Sequence, residues 1–424
     1  MDCVSNLFPE WAKSLTIYEV NLRQYTSSGT IKEFKTHLPR LKELGVGILW
    51  FMPIQPIGVL NRKGTLGSYY SISNYHEVHT EYGSLADFIE LVEEIHNMGM
   101  YVILDWVTNH TAWDHQWINE HPDFYKKNDE DAMFSPFDWT DVAQLNYDNI
   151  SLRVQMVEEM KFWLSTTGID GFRCDMAHLV PLDFWQVARE ELEKIKPILL
   201  LGETENLELT SVFNVIYNWK LFHAFNDVAQ CRKQVTELRH MIEQEIIKFP
   251  STAENLLFIS NHDENSWNGS ELERLGLALE AFAVLIFTLP GMPLLYSGQE
   301  AGNPKRLSFF EKDAIDWKED KMFPLYRKLI ALRQHNSALH SIESRENFVI
   351  LQTDKNDNVW AFARKESGKT IIVAVNLSPD MVDAEIKTDD LSGIYHDFFL
   401  DIPVFIGRQH ILKLNGWGYC IFTA

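Results

Sequence analysis

Cysteine is scarce in this chain of 424 residues: the four present, Cys3, Cys174, Cys231 and Cys420, show neither a CxxC motif nor any paired spacing. That scarcity argues against a disulfide framework or a thiolate metal site and suits reduced thiols. Positive charge is short as well, with 38 Lys and Arg against 60 Asp and Glu and a formal charge of −22. Nucleic acid or an anionic membrane would be repelled along most of such a surface, so neither is expected as a partner and a neutral substrate is easier to accommodate. No run approaches the roughly 20 apolar residues of a transmembrane span. The start, MDCVSNLFPEWAKS, lacks the basic beginning and long apolar stretch of a secretory signal, which suits a cytoplasmic protein, or an exported one whose leader has been removed. With 46% apolar and 23% charged residues, a folded chain is expected.

What is present is alternation. From about residue 15 to 335, strand-like runs alternate with amphipathic stretches such as IKEFKTHLPRLKELG and LADFIELVEEIHNMG, the pattern of parallel strands with helices packed outside. Eight pairs are counted, with strands LTIYEVNLRQY, VGILWFMP, YVILDWVTNH, GFRCDMA, PILLLGETE, VIYNWKLFHAF, NLLFISNHD and MPLLYSGQE. The fold class is α/β, a (β/α)₈ barrel. Asp105 precedes Asp175 by 70 residues, about 40 more than one strand-plus-helix unit needs, so a lobe is inserted after the third strand, at 111–148. After PLYRKLIALRQHNSALH, short runs such as FVILQT, VWAFARK and TIIVAVNL predict a C-terminal antiparallel β-sandwich over 340–424, leaving 1–110 and 149–339 to the barrel.

Three carboxylates stand where these runs turn polar: Asp175, Glu203 and Asp263, separated by 28 and 60 residues, or one and two barrel units. They fall on strands 4, 5 and 7, at the rim where barrel enzymes place their catalytic groups. Alternation in GFRCDMA puts Arg173 and Asp175 on one face and Phe172 and Cys174 on the other. The charged pair belongs in the barrel mouth, with the guanidinium keeping Asp175 ionised as a nucleophile. Glu203, emerging from the apolar PILLLG, is expected to hold its proton as a general acid does. The clusters DWVTNH and NHD also invite a metallohydrolase reading. A mononuclear zinc centre leaves two acids on strands 4 and 5 unexplained, whereas paired carboxylates and hydroxyl-binding histidines are what glycoside hydrolysis requires.

These residues resemble the α-amylase superfamily, glycoside hydrolase family 13, over nearly the whole chain. DWVTNH (105 to 110) is similar to the family's DVVxNH and GFRCDMAHL (171 to 179) to GxRxDxxxx; the GETE stretch around Glu203 and FISNHD (258 to 263) follow in order. The resemblance implies a retaining mechanism with Asp175 as nucleophile, Glu203 as acid and then base, and Asp263 binding and distorting the sugar ring. It implies sugar or nucleophile contacts for Arg173, His110 and His262, stacking for Tyr70, and a leaving-group-side contact for His178. No cofactor is needed for the chemistry. Asn109 matches the family's calcium ligand, beside a main-chain carbonyl at Leu179. The acids Asp123, Asp129, Asp131, Asp138 and Asp141 are then either further oxygen ligands of a structural calcium or an exposed acidic loop. Trp113, Trp139 and Trp267 are candidate sugar platforms among 13 tryptophans. The expected function is cleavage of α-glucosidic bonds, α-1,4 first, in starch-derived glucans or maltooligosaccharides. The alternatives within the superfamily are a cyclomaltodextrinase or neopullulanase, an oligo-α-1,6-glucosidase or a glucosyl transferase. The full set of carboxylates, Arg173 and both histidines argue against a non-catalytic sugar- or protein-binding barrel.

Overall fold

The computed structural model describes residues 8–342 and 347–424, so Cys3 lies outside the described residues. Eight short parallel strands close into a barrel: β1 (Ile17–Val20), β2 (Ile48–Phe51), β3 (Tyr101–Val107), and, after an antiparallel pair β4 (His110–Ala112) and β5 (Val142–Gln144), β6 (Gly171–Asp175), β7 (Leu199–Gly202), β8 (Val215–Tyr217), β9 (Glu254–Leu257) and β10 (Met292–Tyr296). Barrel neighbours follow chain order, with β10 closing on β1 and β3 pairing β6 directly.

The two-residue period of the strands sorts their side chains into two cores. Ile17, Ile48, Trp50, Leu201, Tyr217 and Met292 fill the barrel interior. Tyr18, Leu49, Leu104, Phe172 and Cys174 face outward and join the apolar faces of the helices. Local signals fix where those helices start and stop. Ser84 and Asp87 form a reciprocal capping box on the helix Leu85–Asn97, while Asn149 caps Ile150–Thr167 and Gly168, at φ 76°, ends it. The stretch IKEFKTHLPRLKELG forms two helices, Ile31–Lys35 and Leu38–Leu44, because Pro39 has no N–H to donate and belongs in a first turn. The sixth strand is shorter than VIYNWKLFHAF suggests. Only Val215–Tyr217 pairs; Asn218 then accepts from Leu221 N–H at 3.0 Å, and Trp219–Ala229 is a helix that buries Phe222 and Phe225.

From Phe348 the chain forms β11 (Phe348–Thr353), β12 (Val359–Glu366), β13 (Lys369–Asn376), β14 (Val382–Lys387), β15 (Gly393–Asp397), β16 (Ile402–Ile406), β17 (Gln409–Leu414) and β18 (Tyr419–Thr423). These strands make one antiparallel ladder with β16 and β17 at its edges. The ladder folds over its own core: Ile406 from one edge and Leu412 and Leu414 from the other share a cluster with Ala361 and Ala363 from the middle. The opposite face, with Trp360, Phe362, Val373 and Ile421, packs into the helical shell of the barrel. Buried Arg364 pins that joint by donating to the carbonyls of Thr288 (3.2 Å) and Leu289 (2.9 Å). Among the described residues no helix is long and apolar enough to cross a membrane.

One glycine sets how closely two site-bearing strands approach. Gly171 opens β6 at φ 152°, and a Cβ there would lie 1.9 Å from the Leu199 carbonyl oxygen of β7. Gly171→Ala therefore has to push apart the strands that present Asp175 and Glu203. We expect a loss of about 3 kcal/mol in urea unfolding, the upper end of overpacking costs, together with lowered activity; a variant of parental stability would contradict the close approach.

Candidate active site

Inward-facing residues at the C-terminal ends of the strands build the site layer by layer. In the register of the barrel, Glu19 lies beside Trp50 and Asp105 beside Arg173. Arg173 is fully buried and serves three acids. Its Nη1 lies 3.0 Å from Asp105 Oδ1 and 3.0 Å from Asp175 Oδ1, and its Nη2 lies 2.8 Å from Glu203 Oε2. Above it opens a cavity of ≈ 490 Å³, within the range of small-molecule sites. Asp175, Glu203, Asp263, Tyr70 and His110 all line it. Arg173 and His262 lie beneath, buried and bonded to the lining residues.

The acidities reverse the expectation for Asp175 and Glu203. Burial and the neighbouring charge of Glu203 push Asp175 well above the usual carboxylate range, outweighing Arg173. Burial acts against Glu203 as well, but there the Arg173 guanidinium and the Met176 N–H, 2.9 Å from Glu203 Oε2, prevail and hold it low. Reading along one strand finds the apolar run before Glu203 but not an arginine reaching across from the next strand. Met176 reaches its position by adopting a left-handed conformation, φ 43° and ψ 44°, strain of about 1–3 kcal/mol for a non-glycine residue that aims its N–H at Glu203.

A second chain of contacts starts on β1. Glu19 Oε1 lies 2.5 Å from His262 Nδ1, and His262 Nε2 lies 2.7 Å from the Tyr70 hydroxyl. That hydroxyl donates to Asp105 Oδ2 at 3.1 Å, and Trp50 Nε1 donates to the same oxygen at 3.1 Å. Burial works against a charge on His262, yet Asp263 and Glu19 raise it to about 9. His110 is the opposite case: burial lowers it to about 4, so it is neutral at physiological pH. The Tyr70 ring stacks on the His262 ring at 5.4 Å and lies nearly parallel to Phe309 at 6.3 Å.

Other residues fall differently. His178 is exposed and turns into a neighbouring hollow with Leu179, Leu182, Asn206 and Glu208. Trp139 and Trp267 line the cavity, whereas Trp113 lies outside its lining and donates to the Thr140 carbonyl. The inserted stretch supplies Asp138, Trp139, Asp141 and Val142 to one wall, and Lys63, from the loop after β2, pairs with Asp141 at 3.1 Å. Glu19, Trp50 and Tyr217 escaped the sequence reading. Glu19 carried a signal, a lone acid inside the apolar IYEV, while Lys63, Phe309 and Phe310 sit in loops with no periodicity to single them out.

A calcium held through Asn109 finds no matching ligand set. Asn109 is buried, its side-chain amide 3.3 Å from His110 Nδ1 and its carbonyl accepting from Leu145 N–H at 3.0 Å. Asp123 accepts from Asn149 at 2.6 Å, Asp131 pairs with Lys127 at 2.9 Å, Asp141 is taken by Lys63, and Asp129 and Asp138 are exposed. Among the described residues no three His, Cys, Asp or Glu side chains gather to hold a metal ion. The carbonyls beside Asn109 are met by protein donors: Tyr75 OH donates to Val107 O and Tyr147 OH to Thr108 O, each at 2.8 Å. We expect EDTA to leave the thermal midpoint unchanged. Tyr147→Phe should lower stability by about 1–2 kcal/mol, since it orphans a buried carbonyl. A midpoint that falls in EDTA and recovers with added calcium would show that these donors are not what anchors the insert.

Comparison with known proteins places this geometry. The family model described as "Alpha amylase, catalytic domain" matches residues 18–141 and 126–321, and "Alpha amylase, C-terminal all-beta domain" matches 350–409. Alpha-amylase MalA of Haloarcula japonica is 27% identical over 415 residues, covering 91% of this chain but 59% of that protein, so the chain spans about three-fifths of that relative's length. Among solved structures, the noncanonic maltogenic alpha-amylase AmyB from Thermotoga neapolitana superposes with a TM-score of 0.90 at 27% identity, covering 97% of this chain and 99% of that one. An alpha-amylase from Lactobacillus plantarum gives 0.87 at 28% identity, covering 98% and 99%. A catalytic-domain match over most of the sequence, a closed barrel with an all-β C-terminal unit, and four motifs in order at its strand ends show that the chain belongs to the α-amylase family of glycoside hydrolases.

Proposed function

We propose that this chain is a retaining glycosidase that cleaves α-glucosidic bonds, α-1,4 before others, in starch-derived glucans or maltooligosaccharides. The observation that carries the reading is the convergence of Asp175, Glu203 and Asp263 on one cavity above a buried arginine. The similarity to α-amylases and a maltogenic α-amylase supports an α-glucan as substrate. In this reading residues 111–148 form a lobe that walls the cleft, the barrel spans 1–110 and 149–339, and 340–424 form the C-terminal unit.

Asp175 attacks the anomeric carbon while Glu203 protonates the departing glycosidic oxygen; Glu203 then takes a proton from the water that releases the sugar from Asp175. Asp263 holds and distorts the ring, with Tyr70 and His110 flanking it and Arg173 and His262 supporting from below. Burial and the charge of Glu203 raise Asp175 in the free protein, so substrate has to favour its anionic form. Positive charge developing on the sugar ring favours an anionic Asp175 beside it.

Asp175→Asn is expected to lower kcat on maltoheptaose by a factor on the order of 10⁴ or more, with an unchanged circular dichroism spectrum and unfolding midpoint. Near-parental turnover would refute the nucleophile assignment. NMR of early product should show the α-anomer, and an initial β-anomer would exclude retention. A product profile on starch, maltoheptaose, cyclodextrin, pullulan, isomaltose and sucrose assigns the bond.

A further inference from the structure

Glu19 sits on β1, inside the barrel and fully buried, and it lies outside the lining of the cavity. Among the described residues its Oε1 meets His262 Nδ1 at 2.5 Å and its Oε2 meets no donor. Removing a carboxylate from water costs several kcal/mol in a protein interior unless a partner offsets it, and here the partner is one imidazole. We propose that Glu19 is a positioning residue of this site, holding His262 as a fixed double donor whose Nε2–H orients the Tyr70 hydroxyl toward Asp105.

Donor counting agrees with the assignment for ionised Glu19 and Asp105. The Tyr70 hydroxyl has one proton; given to Asp105 Oδ2 at 3.1 Å, it leaves the oxygen to accept across the 2.7 Å contact from a protonated His262 Nε2. Nε2 therefore carries hydrogen. An ionised Glu19 can only accept, so Nδ1 carries one too, and the ring is an imidazolium. The groups around it are Asp263 Oδ2 at 3.4 Å on its own segment, Glu19 from β1, Asp105 from β3, Arg173 from β6 and Glu203 after β7, with Trp50 edge-on at 6.0 Å and Phe309 at 6.4 Å. The acids outnumber the one competing cation, consistent with His262 standing at about 9 even though burial raises Glu19 as well. Glu19 thus reaches the acid pair through four side chains: His262, Tyr70, Asp105 and Arg173.

The inference rests on the glycosidase reading, so its test has one arm that does not use activity. In ¹³Cε1-histidine-labelled protein, with the His262 resonance assigned by its loss in His262→Asn, His262 should remain protonated through pH 8. Titration near 6.5 would overturn the proposal whatever the enzyme hydrolyses. Glu19→Gln keeps an acceptor for Nδ1–H and removes only the charge. Its His262 midpoint should drop by about 1–3 units, the worth of one opposite charge at contact. The alkaline limb of kcat/KM should move down with it while activity near pH 6 is retained. A Glu19→Gln pH profile superimposable on that of the parent would mean that Glu19 only fills space. If the parent cleaved none of the glycosides named above while the His262 titration behaved as stated, the glycosidase reading would fail and the Glu19–His262 pair would stand.

Discussion

A single guanidinium inside the barrel mouth holds the site together. Arg173 has no access to water, and its charge is shared among Asp105, Asp175 and Glu203. Around it the balance is uneven: Asp105, Asp175, Glu203, Glu19 and Asp263 face two cations, Arg173 and His262. In a region that water does not screen, such an imbalance is a reservoir of attraction for a positive centre. In the glycosidase reading proposed above, an oxocarbenium-like ring is that centre, present only at the transition state, so the imbalance would discriminate between reacting and resting sugar.

Backbone geometry makes this crowding feasible. Strand pleating sends Arg173 and Asp175 inward and Phe172 and Cys174 into the helical shell, so a charged layer lies directly above an apolar one without either interrupting the other. Gly171 lets β6 approach β7, and Met176 bends into the left-handed region to give its N–H to Glu203. The rigidity of the barrel below sustains that local strain.

The architecture was legible because two periodicities are written plainly in the residues. Period-two runs ending in Asp175, Glu203 and Asp263 marked barrel strands and their rim, and the long interval after Asp105 marked the insert. The misreadings share a cause. The proton affinities of Asp175 and Glu203 depend on an arginine reaching between strands, and the length of the sixth strand depends on the capping side chain of Asn218. Each is a long-range or terminal contact, which spacing along the chain does not encode. Glu19 is intermediate. An acid within IYEV signals its own anomaly, but its partner lies 243 residues away.

The pair β4 and β5 has a consequence for how this protein can change. His110 pairs with Gln144 and Ala112 with Val142, so the inserted stretch leaves and rejoins the barrel through one small antiparallel clasp. Because the two ends are held side by side, the chain between them can lengthen, shorten or be exchanged without altering the register of β3 against β6. Only one wall of the cleft would be remodelled, while the charged floor stays where it is. The clasp thus separates the shape of that one wall from the charged floor.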